Sequence, residues 1–154
     1  MIERKTDHQI CVREMRPEDF AMIATLSAEL GYPVSKIDIV DRFEAIGGSR
    51  DHRLTTAHAQ GEAVGWCHAY CVRILESEGY AELGGLVVNE SWRRQSVGRA
   101  LVADAETWAR SRGFTRLRAY SGAHREHAHE FYRSLGYDQR APSMFQRNLL
   151  ESEA

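Results

Sequence analysis

The chain reads as a mixed α/β domain, and three features of the sequence predict it. A strand-like run, a long amphipathic helix and a second strand-like run follow one another at 80–89, 96–112 and 115–121. That is the length of a right-handed βαβ crossover, so the two strands should run parallel. Two further strand-like runs, 53–59 and 63–72, flank Gln60-Gly61-Glu62 and predict an antiparallel hairpin. Strand and helix periods succeed one another along all 154 residues with no repeat, linker or low-complexity tract, which fits a single domain over 1–154. The expected order is β-α-α-β-β-β-α-β-α-β-β, a mixed and mostly antiparallel central sheet with flanking helices.

Each element has its own local reason. Residues 10–16 form the first strand. Pro17 suits the first turn of a helix, where Glu18 and Asp19 favour the helix dipole. Phe20, Ile23, Ser27 and Leu30 follow at helical spacing to a stop at Gly31. Ser35 with Asp38 resembles a capping box opening a second helix that ends at Gly47-Gly48. In the strand 63–72, Val64, Trp66, His68, Tyr70 and Val72 share one face, and Gly65, Cys67, Ala69 and Cys71 share the other. Neither face is charged, so the strand is expected inside the sheet. Residues 74–79 read as a polar connection. The pair Gly84-Gly85 within strand 80–89 predicts a bulge or a close backbone approach. Helix 96–112 carries Val97, Leu101 and Trp108 on one side, with Asp104 as its polar exception, and Gly113 as its stop. A last helix, 126–135, ends at Gly136, and 137–140 with 144–149 read as a closing hairpin turning at Pro142-Ser143.

Composition excludes several classes. Apolar content is 43%, charged content 27% and formal net charge −2, as in a soluble globular protein with no global field for nucleic acid or anionic lipid. No apolar run approaches the ~20 residues of a membrane helix, and no signal-like segment follows the polar start. The expected address is cytoplasmic, with no membrane or nucleic-acid partner. Cys11, Cys67 and Cys71 fit no zinc spacing and are expected as free, buried thiols. His124, His127 and His129 do not gather on one helix face, and no metal is expected there. His68 reads as a satisfied core histidine.

The segment that carries chemistry is Asn89-Glu90-Ser91-Trp92-Arg93-Arg94-Gln95-Ser96-Val97-Gly98-Arg99, which joins a strand to a helix start. A helix N-terminus offers unpaired N–H groups and partial positive charge, a setting for phosphate. Gly98 removes a side chain, and Arg93, Arg94 and Arg99 add charge suited to phosphate oxygens. The segment matches neither the Walker pattern nor the dinucleotide glycine fingerprint.

Arg93 to Gly98 resembles the pyrophosphate loop of the GNAT superfamily, Arg/Gln-x-x-Gly-x-Gly/Ala. Leu86-Val87-Val88 resembles the end of that family's fourth strand, and Phe131-Tyr132-Arg133-Ser134-Leu135-Gly136-Tyr137 its last helix ending. The likeness covers about residues 10 to 150. It implies the GNAT fold, with the parallel strands splayed apart at their C-terminal ends. It also implies acetyl-CoA as co-substrate, its pantetheine paired with the backbone at Leu86, Val87 and Val88, and its pyrophosphate on Arg93, Arg94, Gln95, Ser96, Val97, Gly98 and Arg99. Two departures stand out. Ser96 replaces the first loop glycine, so dependence on glycine-only dihedrals is not expected there. Arg125 occupies the place where many relatives carry a cofactor-contacting Asn.

The implied reaction is acetyl transfer to a primary amine by direct attack in a ternary complex. An N–H near Leu86 would hold the oxyanion. Tyr132 is the family-aligned acid for the departing thiolate, and Glu82 the candidate base, acting directly or through water. Glu78 and Tyr80 are weaker candidates for that base. The leading acceptor is a small-molecule amine, as in aminoalkylphosphonate and aminoglycoside acetyltransferases. A protein or peptide amine, and a non-catalytic acyl-CoA-binding module, are the alternatives. The acceptor would be set by 31–34 and 73–80. Homodimers are common among the relatives implied.

Overall fold

The computed structural model describes residues 9–120, 126–140 and 143–150. The chain divides into two compact units, Met1–Tyr120 and Ser121–Ala154.

The first unit is built on a five-stranded sheet of order β1-β2-β3-β4-β5. Its strands are β1 (Cys11–Glu14), β2 (His52–Ala59), β3 (Glu62–Ile74), β4 (Ser77–Val88) and β5 (Leu117–Ala119). All neighbours are antiparallel except β4 and β5, which run parallel as the crossover length requires. The β2–β3 turn places Gln60 at φ +52° and Gly61 at φ +78°, the left-handed pair that matches strand twist in a two-residue hairpin. Residues 74–79 are not the polar connection expected. Ile74 pairs with Ser77, so β3 and β4 run on to a two-residue tip. A register shift between Val72 and Ile74 permits this, with Gly79 opposite in left-handed backbone, where a Cβ would collide with the Val72 carbonyl.

Two layers cover the sheet. A 3-10 turn, Pro17–Asp19, runs into α1 (Phe20–Glu29), and α2 (Lys36–Ile46) follows. Ser35 Oγ accepts from the Asp38 N–H at 3.1 Å, and the Asp38 carboxylate accepts from the Ser35 N–H at 3.4 Å, the reciprocal box expected. Phe20, Ile23 and Ile39 pack here with Met15, Leu54, Phe43 and Trp66. Against the other face lies α3 (Val97–Ser111), with Val97, Leu101, Val102, Ala105 and Ala109 buried. Gly65 lets it come close, because a Cβ there would meet the Val87 carbonyl at 2.8 Å and Val97 Cγ1 and Leu101 Cδ1 at 3.2 Å. Asp104 breaks the apolar stripe for a reason: the Arg53 guanidinium donates to its two oxygens at 3.0 and 2.9 Å.

Asp19 serves more than the helix dipole. It is 4% exposed and accepts from both terminal nitrogens of Arg13 at 2.8 and 2.9 Å, and from the Arg16 N–H at 2.8 Å. It ties β1 to the start of α1.

The second unit holds α4 (Glu126–Ser134), closed by Gly136 at φ +88°. The expected closing hairpin is not seen: residues 137–140 and 143–150 contain no strand, and Pro142 lies outside the described residues. Met144, Phe145, Leu149 and Leu150 are exposed, so these runs lack the buried face that stabilises a two-stranded hairpin. The expectation of uniformly buried cysteines also needs correction. Cys67 is buried, Cys71 half-buried and Cys11 exposed on an edge strand, and all three are free. Among the described residues no helix is long and apolar enough to cross a membrane.

Candidate active site

The site begins at the bulge in β4. His68 pairs with Gly85 and Ala69 with Leu83, so Gly84 is the extra residue, as the doubled glycine predicted. Both glycines turn the same way. A Cβ on Gly84 would lie 2.9 Å from Tyr70 Cε1 and 3.3 Å from His68 Nδ1, and one on Gly85 would lie 2.6 Å from the Trp66 ring. Side chains would displace the aromatic wall of β3.

The bulge also changes which backbone groups face outward. The Ala81 N–H donates to the Arg116 carbonyl, toward β5, at 2.9 Å. Beyond the bulge, the Asn89 N–H donates to the Val64 carbonyl at 2.8 Å, toward β3. Alternation then makes 66/87 a hydrogen-bonded pair and 67/86 and 65/88 non-bonded pairs. The Leu86 and Val88 N–H groups therefore point away from β3. Pairing of β5 with β4 ends at Leu83–Ala119, so along 84–88 that edge of β4 has no strand partner among the described residues. This is the splay expected of the parallel pair. The Val87 side chain is buried and its N–H and C=O pair with Trp66, so the cofactor contact expected of Val87 is not offered at the open edge, which presents Leu86 and Val88 instead.

The edge leads into the turn before α3. A 3-10 turn, Glu90–Trp92, is held by the Asn89 side chain, which accepts from the Ser91 N–H at 2.9 Å. Arg94 follows at φ +61° and Ser96 at φ +68°, both left-handed. Ser96 thus takes a left-handed conformation that costs a serine something but is not reserved to glycine, in line with the expectation that no glycine-only dihedral is needed there. The chain must reverse into α3 there, and a left-handed residue before a helical one turns successive N–H groups into one concavity that suits an anion. The Ser96 hydroxyl makes no cap bond, and the first helical bond is Ala100 N–H to Ser96 C=O at 3.0 Å. The N–H groups of Val97, Gly98 and Arg99 thus lack an intrahelical acceptor. The Val97 side chain is 1% exposed and belongs to the core, so its contribution is restricted to backbone. Arg93, Arg94, Gln95 and Arg99 are exposed, and among the described residues the three arginines have no ion-pair partner. Gln95 Nε2 donates to the Ser91 carbonyl at 3.1 Å, which braces the turn.

Glu82 lies opposite Tyr70 on β3 and Arg118 on β5, on the bulge's face of the sheet. Burial raises its carboxyl above the usual range, with Arg118 opposing. The Arg118 guanidinium sits 3.9 Å from the Tyr80 ring centroid. Tyr132 belongs to the second unit, on α4. It is half-buried, with Phe131 and Tyr137 edge-on to its ring at 5.2 and 5.8 Å. Among the described residues no group of three or more His, Cys, Asp or Glu side chains is placed to hold a metal. Arg125 and His124 lie outside the described residues. Sequence reasoning gave His68 no functional partner. The structure bonds it to His52, which lies sixteen residues earlier on β2 and gave no local signal.

A bulged strand, open along one edge, runs into a helix start with three unpaired N–H groups, and the comparisons identify the class of protein as an acyltransferase. The chain belongs to the acetyltransferase (GNAT) family, whose model matches residues 19–137. It is 28% identical, over 148 residues, to an aminoglycoside N(6')-acetyltransferase type 1 from Stenotrophomonas maltophilia, covering 93% of this chain and 95% of that one. Among solved structures it is similar to the aminoglycoside N-acetyltransferase AAC(6')-Iy in complex with CoA, with TM-score 0.81, 19% identity and 97% and 99% of the two chains covered. It is equally similar to a transcriptional regulator from Bacillus halodurans C-125, with TM-score 0.81, 21% identity and 91% and 100% covered. At such identities the structural likeness speaks for the fold alone.

Proposed function

We propose that the chain transfers the acetyl group of acetyl-CoA to a primary amine of a small molecule, by direct attack in a ternary complex. The observation that carries this reading is the open edge of β4, where the outward Leu86 and Val88 N–H groups lead to the left-handed turn at Ser96. The pantetheine arm pairs with that edge as a missing strand. Its pyrophosphate meets the N–H groups of Val97, Gly98 and Arg99, with Arg93, Arg94, Gln95 and Arg99 around it. The Leu86 N–H polarises the thioester carbonyl and holds the oxyanion. Glu82 takes a proton from the acceptor ammonium through water, and its raised pKa brings it nearer to that task. Tyr132 gives a proton to the departing thiolate, a phenol being protonated at neutral pH. The family match across 19–137 spans both units and supports one N-acetyltransferase domain. The aminoglycoside acetyltransferase among its relatives supports a small-molecule amine. Three free cysteines favour a reducing, cytoplasmic address.

A coupled thiol-release assay over an amine panel tests the proposal. Turnover with aminoglycosides or other small amines is expected. Turnover with peptide amines alone would move the acceptor to proteins, and acetyl-CoA binding without any thiol release would make the chain a binding module.

A further inference from the structure

Two histidines beside the bulge have no part in the chemistry above. His52 Nδ1 on β2 lies 2.9 Å from His68 Nε2 on β3. Their rings stack at 5.2 Å, and Tyr70 lies against them at 5.8 and 5.5 Å. The second nitrogen of His68, Nδ1, abuts the bulge, 3.3 Å from where a Gly84 Cβ would be. Gly84 is exposed, so this nitrogen borders the open face that Glu82 shares. At the far end, His52 lines a groove of about 310 Å³ together with Glu14, Ser49, Arg50, Arg53 and Arg112. A hydrogen-bonded path thus begins beside the bulge and ends in a separate groove.

We propose that His68 and His52 form the exit route for the proton released by the acceptor amine. This rests on the acceptor reading of the face that carries Glu82. The tautomer that serves has His68 Nε2–H donating to His52 Nδ1, which leaves a lone pair on His68 Nδ1. The proton that Glu82 draws from the ammonium reaches that lone pair through cleft water, forming an Nδ1–H bond. The Nε2–H bond of His68 breaks as an Nδ1–H bond forms on His52. His52 then releases its Nε2 proton to water in the groove. Both rings end neutral and one proton has left the occupied cleft; once product has gone, the reverse passage restores the starting tautomers and returns one proton to the emptied cleft, whose water carries it to bulk solvent.

Burial, with His52 beside it, pushes His68 down to about 4, so the ring is neutral near pH 7 and a proton does not rest on it. The groups facing the pair are mixed. Tyr70 comes from β3, Glu82 from β4 with Arg118 beyond it, and Met15, Phe43, Leu54 and Trp108 are the apolar neighbours in the groove. Glu14 and Arg53 are paired with each other, so the groove mouth carries both signs of charge.

A relay differs from a structural histidine in being replaceable by a diffusing base. In weak buffer, kcat of His52→Ala should fall about tenfold, below the ~10²–10⁴ of a positioned base. Added imidazole should restore it, with KM for acetyl-CoA unchanged. If His52→Ala unfolds at lower temperature than the wild type, His52→Gln serves instead, read as lowered kcat with both KM values kept. A kcat equal to wild type in weak buffer, or a deficit that imidazole leaves untouched in a folded Ala variant, would overturn the relay while leaving the acetyltransferase reading intact. A wild type that releases no thiol with any amine would overturn both.

Discussion

The two faces of β3 are built for different work. Gly65, Cys67, Ala69 and Cys71 turn toward α3, and Gly65, Cys67 and Ala69 are fully buried. The thiol of Cys67 is pushed up to about 12 by burial, with Asp104 adding to it, so it is an inert filler. Trp66, His68 and Tyr70 turn toward the glycine bulge of β4, bring ring nitrogens and a phenol with them, and are only half-buried. One strand of period two therefore separates packing from chemistry. Damage on the α3 face should appear as lost stability, and damage on the bulge face as lost turnover.

The largest break is on the packed face. Gly65→Val places its Cβ 2.8 Å from a backbone oxygen, and its methyls against Leu101 and Val97, which have no room to yield. Overpacking typically costs about 1–3 kcal/mol, and contact with a backbone oxygen puts this case at about 3 kcal/mol. Urea unfolding should show it, with activity lost only as far as the fold is.

A buried charge away from the cleft sharpens the contrast. Burial alone would raise the Asp19 pKa, but hydrogen bonds from Arg13 and Arg16 outweigh it and hold the carboxyl below the usual range. Its stabilisation is present above the unfolded-state carboxylate value and is lost as pH falls through the depressed folded value. Asp19→Asn should thus cost about 2 kcal/mol at pH 7, as for hydrogen bonds to a charged group. Thermal melts across pH should show the two proteins converging in acid.

On the bulge face the expected loss is kinetic. Glu82→Gln should lower kcat by about 10²-fold, the low end for a positioned base, and remove the acidic limb of the rate profile, which the raised carboxyl sets above an ordinary glutamate's. Its unfolding midpoint should stay at the wild-type value, since the side chain is half-exposed and accepts no hydrogen bond among the described residues. Wild-type rates from pH 6 to 9 would leave the base elsewhere.

The smallest effect lies at the loop. Left-handed backbone is unfavourable for a serine, and Ser96→Gly relieves it while adding freedom to the unfolded chain. The net change should be a gain below about 1 kcal/mol, with acetyl-CoA affinity kept or tightened. A loss beyond tenfold would mean that the hydroxyl itself holds the cofactor.

Much of this architecture was legible because its causes are local. Ser35 and Asp38 announce their helix start, Gly84-Gly85 their bulge, and Gly113 the end of α3, each within a few residues. What stayed hidden depends on distance or on burial. The left-handed backbone of Ser96 is imposed by the reversal into α3. The bond between His52 and His68 exists only because β2 and β3 pair. Met144 to Leu149 has strand composition, but Met144, Phe145 and Leu149 are exposed, and no strand forms. Asp19 looked like a helix-dipole residue until Arg13 was placed beside it.

The central claim is that the open edge of β4 and the turn before α3 together receive acetyl-CoA without a metal. Titration calorimetry of the full chain with acetyl-CoA, in buffer containing EDTA, tests it most directly. The account predicts saturable binding near one equivalent, weakened by Arg94→Ala and kept by Ser96→Gly. No heat and no thermal shift at millimolar acetyl-CoA would contradict it.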